Sequence, residues 1–295
     1  MKTASSFSTA SLYCATILTG GTSWYAAKLQ LTDVSPMVSL IYRFGGASLV
    51  LIIISRLTHK KLRYTLCEHA IFAVLGALSF SLAFMLIYLA AGLITTGLIA
   101  LAYSAVVLFN SINASIFLKE KLAWTIYAAA FFGIIGIILV FLPEILNKEW
   151  NWIGFGYAIA ATVAFSFANI FAVYLQRKHI HVLPMTGISM SYGTLFLLIT
   201  AFLTKQQFLL EPSVQYMGSL IYLILFPSVI GYTTYFAVLG RLGAERGSYT
   251  MLIVPIVALA ISSVTEEYKP TFIAILGTLM VIAGNYWVIT TKARS

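Results

Sequence analysis

Charge is what this sequence has least of. Asp, Glu, Lys and Arg make up 9% of its 295 residues, against about 25% in a soluble domain. That shortage excludes an ordinary water-soluble enzyme, and a hydrophobic content of 60% excludes a disordered chain. There are two cysteines, Cys14 and Cys67, too few for a disulfide framework or a metal site. Cys14 reads as a lipid- or helix-facing side chain and Cys67 as a loop-end residue. Motifs of intramembrane or nucleotide chemistry are also missing. There is no His-Glu-x-x-His, no Gly-x-Ser-x-Gly and no Gly-x-x-x-x-Gly-Lys-Ser/Thr, so neither an enzyme nor a P-loop ATPase is expected, and no cofactor is implied.

What the sequence has is long apolar runs. A membrane-crossing helix needs roughly 20 residues, and ten runs of that order are present. They are Phe7–Ala27, Pro36–Ile54, Ala70–Ala90, Thr95–Phe117, Leu122–Leu142, Ile153–Tyr174, Met185–Leu203, Val214–Val238, Ser248–Val264 and Thr271–Ile289. These are called spans 1 to 10 below. The runs are continuously apolar, not alternating, which favours helices over barrel strands. Lys2 and the small residues near Tyr25-Ala26-Ala27 give span 1 some character of a secretory leader. It fits the later series, however, and is read as a span. Tyr13 before Cys14 is not the small residue that a lipoprotein cysteine requires.

The loop charges separate by side. One set of loops and ends carries 13 bases (among them Lys2, Arg56, Lys60, Arg63, Arg177, Arg241 and Lys292) and three acids, Glu68, Glu120 and Glu245. The opposite set carries four bases and six acids. The net charge of +9 therefore reports the positive-inside rule, not a nucleic-acid partner. The basic side is cytoplasmic, and both ends lie there, as an even number of crossings requires. Trp150 and Trp152 read as outer-interface anchors.

Several landmarks repeat at an offset of 148. They are Pro36 and Pro184, Gly45 and Gly193, Gly92 and Gly240, and Gly136 and Gly284. Five spans precede the Pro143–Trp152 linker and five follow it. Five being odd, the second copy enters the membrane in the opposite sense, as in carriers built from inverted repeats. The expected fold is thus an all-α integral membrane protein of ten transmembrane helices in two inverted five-helix repeats. The first repeat is 1–142, the extracytoplasmic linker 143–152 and the second repeat 153–295. Two stacked bundles without transport is the blander alternative.

The chain resembles the ten-helix EamA-type branch of the drug/metabolite transporter superfamily over nearly its whole length. The resemblance rests first on Ile17-Leu18-Thr19-Gly20-Gly21-Thr22 ahead of Lys28, then on Pro36 and Arg43-Phe44. It continues through Phe117-Leu118-Lys119-Glu120-Lys121-Leu122 and Gly136, and through Gly231-Tyr232, Leu242-Gly243-Ala244, Pro255 and Gly284. The family's Trp-Gly and Trp-Ala pairs are replaced by Thr19-Gly20 and Phe165-Ser166, and the expected proline of span 4 is Val107. The resemblance implies a cavity lined by spans 1, 3, 4, 6, 8 and 9, with span 2 on its flank. It also implies export of amino acids.

Polar residues recur at helical spacing within the spans. Thr16, Thr19, Gly20 and Ser23 share a face of span 1. Tyr103, Asn110 and Asn113 share one on span 4, and Phe165, Ser166 and Asn169 one on span 6. Ser228, Gly231, Tyr232 and Tyr235 do so on span 8. Amides and hydroxyls avoid lipid, so these faces turn inward, either as helix–helix glue or as the wall of a shared cavity. Phe80, Phe84 and Tyr88 follow a spacing of four on span 3. With Tyr103, Phe165, Tyr232 and Tyr235 they form an aromatic cage for a cationic head or a flat ring, or else a plain core.

No Asp, Glu or His falls inside a span, which argues against an intramembrane proton relay and for a facilitator or exchanger. Arg43 is the one charge well inside a span. It is either a counter-charge for a substrate carboxylate or phosphate, a clamp on neighbouring carbonyls, or a side chain snorkelling outward. Glu120 is a gating residue or a solvated cap. Pro227 and Pro255 each remove a helix hydrogen bond and so mark bending points.

The expected function is a secondary transporter in a bacterial inner membrane, moving a small polar metabolite by alternating access. Its substrate is an amino acid, aromatic ones included, or an exported toxic metabolite. Quaternary amines and nucleoside- or nucleotide-derived solutes are the alternative, and a lipid scramblase or structural protein is the other class. The expected partners are that solute and the bilayer, with the chain a monomer or homodimer.

Overall fold

The computed structural model describes residues 8–119, 151–248, 250–265 and 271–290, together with helical positions 128, 132, 133, 135, 136, 138–140 and 142. Every regular element among the described residues is helical. Span 1 is the helix Thr9–Lys28, started by Ser8, whose hydroxyl accepts the Ser11 N–H at 3.1 Å. Span 2 is Pro36–Leu57, with proline in the first turn where no N–H is needed. Span 3 is Leu66–Ala91. It opens on a capping box: Thr65 N–H donates to Glu68 Oε2 at 2.6 Å and Glu68 N–H to Thr65 Oγ1 at 3.3 Å.

Span 4 comes in two pieces, Thr96–Ser104 and Val106–Leu118, and stops on Lys119 in the left-handed region at φ 57°. Glu120 and most of span 5 lie outside the described residues. Its described positions are helical. Span 6 is Trp152–Arg177, capped by the Asn151 side chain, and span 7 is Val182–Leu203. Span 8 begins at Val214, and spans 9 and 10 are Thr250–Thr265 and Phe272–Thr290.

Five of these helices are long and apolar enough to cross a membrane, and further shorter helices are apolar. Large apolar side chains such as Leu49, Leu57, Phe202, Val214 and Phe272 stand exposed around the bundle, as they do where the solvent is lipid. The chain is a multi-pass membrane protein.

Some sequence expectations are corrected. Cys67 lies in the first turn of span 3 and not at a loop end. Span 8 runs past Val238, so that Arg241 is helical and not in a loop, while Arg246 lies beyond a break in the segment Tyr232–Gly247. That segment breaks at Gly243, whose φ of 87° suits glycine.

Two features organise the interior. Spans 2 and 7 lie side by side in antiparallel sense. Ser48 Oγ meets Ser191 Oγ at 2.6 Å and donates to Gly187 O at 2.9 Å, while a Cβ on Gly45 would touch Thr194 at 3.5 Å. As numbers rise along one helix they fall along the other.

Spans 3 and 8 each contain a π-helical segment, Ala77–Leu82 and Ile224–Gly231. The 148-residue offset carries 77–82 onto 225–230, inside the second segment. Such wide turns are rare and concentrate at functional positions.

Outside the spans, hydrogen bonds from Ser213 (2.6 Å) and then Thr32 hold the Glu211 carboxyl below the usual carboxylate range.

Candidate functional site: a central cavity

Span 1 presents Thr16, Thr19, Gly20, Ser23, Trp24 and Ala27 to one side, and that side is the wall of a cavity. Opposite stand Arg43 from span 2, Phe84 and Ile87 from span 3, Tyr103 from span 4 and Phe165 from span 6. Span 8 adds Pro227, Gly231, Tyr232 and Tyr235, and span 9 adds Met251 and Val254. Gly231 sits tight against span 1, for a Cβ there would meet Thr19 Oγ1 at 2.7 Å. The space open to the centres of water-sized molecules is about 70 Å³. At roughly 10–15 Å³ per water, that holds a few waters.

Rings make much of the wall. Phe165 stacks on Tyr235 with centroids 5.7 Å apart and lies 5.1 Å from Tyr103. Trp24 meets Tyr103 edge-on at 5.4 Å, and Phe84 lies 6.0 Å from Tyr232. Offset and edge-on pairs of this kind fix one another and leave ring faces for a flat guest. The hydroxyls of Thr19 and Ser23 donate to carbonyls of their own helix, Ala15 O and Gly20 O, both at 2.7 Å. Their lone pairs remain available as acceptors.

Arg43 is buried, with 1% of its surface exposed. Its Nε donates to Ser228 Oγ at 3.0 Å, and its Cζ lies 4.7 Å from the Phe84 ring and 5.0 Å from the Phe44 ring. Its Nη1 has no hydrogen-bond partner, and neither has the buried Tyr103 hydroxyl. Both residues line the cavity. Among the described residues, no carboxylate or histidine does.

The sequence singled out twelve binding residues. The cavity brings together seven of them: Thr19, Ser23, Phe84, Tyr103, Phe165, Tyr232 and Tyr235. It also takes in Arg43 and Pro227. The other five lie behind this lining. Ser228 holds Arg43. Asn169 Nδ2 donates to the Tyr235 hydroxyl at 2.9 Å and to Asn110 Oδ1 at 3.3 Å. Phe80 is buried against Phe44 (5.3 Å) and Tyr232 (4.9 Å). Tyr88 donates to Gln30 Oε1 at 2.6 Å.

Pro255 falls within the helix Thr250–Thr265, but its side chain, like Glu120, is outside the described residues. Trp24, Ile87, Met251 and Val254 were not singled out. Trp24 and Ala27 continue the span 1 stripe by one turn, a signal present in the sequence. Met251 and Val254 carry no polar mark that distinguishes them from lipid-facing residues.

A helical membrane bundle enclosing a polar and aromatic chamber is the arrangement in which carriers hold solutes near mid-bilayer. The EamA-like transporter family model matches residues 8–142 and 152–290, and the chain belongs to that family. Among its curated relatives, an uncharacterized transporter of Bacillus subtilis, YoaV, is 24% identical over 277 residues, covering 93% of this chain and 94% of the relative. A second B. subtilis uncharacterized transporter, YvbV, is 24% identical, with 97% and 93% covered. Protein PagO of Salmonella typhimurium is also 24% identical, with 96% and 93% covered. A solved crystal structure shares the fold at a TM-score of 0.73 and 16% identity, covering 97% of this chain and 98% of its own. The protein is a membrane transporter, and the family points away from an enzyme.

Proposed function

We propose that this chain is a secondary carrier that moves a small polar metabolite, an amino acid or similar ring-bearing solute, by alternating access across a bacterial inner membrane. The observation that carries the reading is a polar and aromatic cavity walled by residues from both sides of the 143–152 linker, Arg43 and Phe84 before it, Phe165 and Tyr232 after it. In this reading the fold is ten helices in two inverted repeats, 1–142 and 153–295, with both termini cytoplasmic. The π-helical segments related by 148 residues, the antiparallel contact of spans 2 and 7, and the family match in two stretches all support the division.

The carrier runs as a facilitator or exchanger. No carboxylate or histidine among the described lining residues offers a proton site. The quaternary-amine reading of the aromatic cage is weakened by Arg43. Its guanidinium already covers the Phe84 face that a cationic head would need, and it repels that head.

The test is counterflow in proteoliposomes with a panel of amino acids, aromatic acids, quaternary amines and nucleosides, with and without a pH gradient. Saturable counterflow of at least one solute, independent of the gradient, is expected. Absence of counterflow for every solute, or a strict proton requirement, contradicts the proposal.

A further inference from the structure

We propose that the cavity takes a carboxylate, with Arg43 as its counter-charge and the Tyr103 hydroxyl as a second donor, so that the transported solute is a ring-bearing organic acid. The proposal rests on the carrier reading above and narrows its substrate. A guanidinium inside a bilayer is costly and needs partners. Of the roles open to it, snorkelling fails, because Arg43 is 1% exposed. A clamp on neighbouring carbonyls fails as well, since its hydrogen-bond neighbours are the hydroxyls of Ser228 and Tyr88.

What remains is an incomplete shell. Nε is bound to Ser228, the Tyr88 hydroxyl is a further hydrogen-bond neighbour, and Cζ packs against the Phe44 and Phe84 rings, while Nη1 is buried and unpaired. The shell fixes the guanidinium on the cavity wall and leaves Nη1 without a partner. A carboxylate fills such a gap with charge-assisted hydrogen bonds. The Tyr103 hydroxyl is a second buried donor without a partner on the same wall. One cation balances one negative charge, so a monocarboxylate fits better than a phosphate dianion. The stacked Phe165 and Tyr235 rings supply a flat apolar surface for the rest of the solute.

Two sources share this chemistry, a simple monocarboxylate and a zwitterionic α-amino acid. The Thr19 and Ser23 oxygens are the acceptors an ammonium group would use.

The experiment measures binding to the purified full chain by calorimetry and thermal shift. The probes are phenylacetate, phenylalanine, phenylacetamide, phenylalaninamide and phenethyltrimethylammonium. The wild type is expected to bind at least one carboxylate and to bind its amide at least tenfold more weakly. Phenylacetate against phenylalanine tells the plain acid from the amino acid. Arg43→Gln is expected to lose the preference for the carboxylate, and Arg43→Lys to keep part of it. Equal binding of acid and amide, binding of neither carboxylate, or an Arg43→Gln chain that retains the preference overturns the proposal. Should Arg43→Gln fail to fold, the acid-to-amide ratio of the wild type still decides.

Counterflow of the same probes separates the two readings. Transport of an amide or amine probe without carboxylate binding leaves the carrier and removes the carboxylate. Tight carboxylate binding without counterflow does the reverse.

Discussion

Arg43 on span 2 and Ser228 on span 8 are joined at 3.0 Å, 185 residues apart in sequence. The bond ties the buried cation of the first half to the π-helical turn of the second. It gives the guanidinium one orientation, with Nη1 left over. Ser228→Ala removes that orientation and keeps the charge. A hydrogen bond to a charged group is worth about 1.5–3 kcal/mol. Transport by Ser228→Ala is expected to show an apparent affinity weakened roughly tenfold or more by that scale, with protein yield near wild type. An unchanged KM in a counterflow titration would mean that the bond is incidental.

Behind the ring wall, Asn169 anchors Tyr235 and Asn110 through one side-chain nitrogen. Tyr235→Phe deletes a hydroxyl that is buried, and Asn169→Leu deletes both bonds. The expected costs are about 1 and 2 kcal/mol, read as falls in the melting temperature of the purified protein. Since the two changes remove a shared bond, the double variant is expected to lose less than the sum.

Two glycines predict opposite signs. A Cβ on Gly76 would collide with the Ser189 carbonyl oxygen and lie 2.8 Å from the Gly193 nitrogen, where spans 3 and 7 touch through backbone. Gly76→Ala is expected to destabilise by about 1–3 kcal/mol or more, because neither atom can give way without moving a helix. Gly218, in the helix Val214–Leu223, has nothing within 4 Å of such a Cβ. Gly218→Ala is expected to be neutral or stabilising by up to about 1 kcal/mol. Thermal unfolding of both variants in one detergent checks the contrast.

Pro227 sits in the π-helical segment and lines the cavity. Its carbonyl accepts the N–H of Tyr232, five residues on, so the wide turn sets where that ring stands. Pro227→Ala frees the segment to tighten toward α-helical geometry. It is expected to lower the maximal exchange rate several-fold while the chain still folds. A full rate in proteoliposomes would show that the turn has no part in transport.

The spans were legible in the sequence because lipid demands unbroken apolar runs, and nothing in Val182–Leu203 or Pro36–Leu57 competes with that signal. Their ends were less so. Arg241 looks like a loop residue, yet the helix continues through it to the break at Gly243. On span 3 the sequence pattern and the structure differ for another reason. A spacing of four assumes 3.6 residues per turn, and the segment Ala77–Leu82 is wider. Phe80, inside that segment, is thereby turned from the face of Phe84 into the packing behind it; Tyr88, on the regular helix Ala83–Ala91 after it, is held instead by Gln30. Arg43 was conspicuous as a charge among apolar residues. That it belongs to the cavity wall depends on the angle between spans 2 and 8, which no local pattern encodes.

The central claim is that this cavity is the solute path, opened in turn to each side. Ser23 lines it, and the native thiols Cys14 and Cys67 are exposed on helices outside it. The direct measurement is a single cysteine at this position, Ser23→Cys in a Cys14→Ser, Cys67→Ser background, challenged with a membrane-impermeant thiol reagent. Right-side-out and inside-out vesicles are treated separately. Labelling from both faces, slowed by a bound solute, is the predicted result; labelling from neither face, or from one face whatever the conditions, would contradict it.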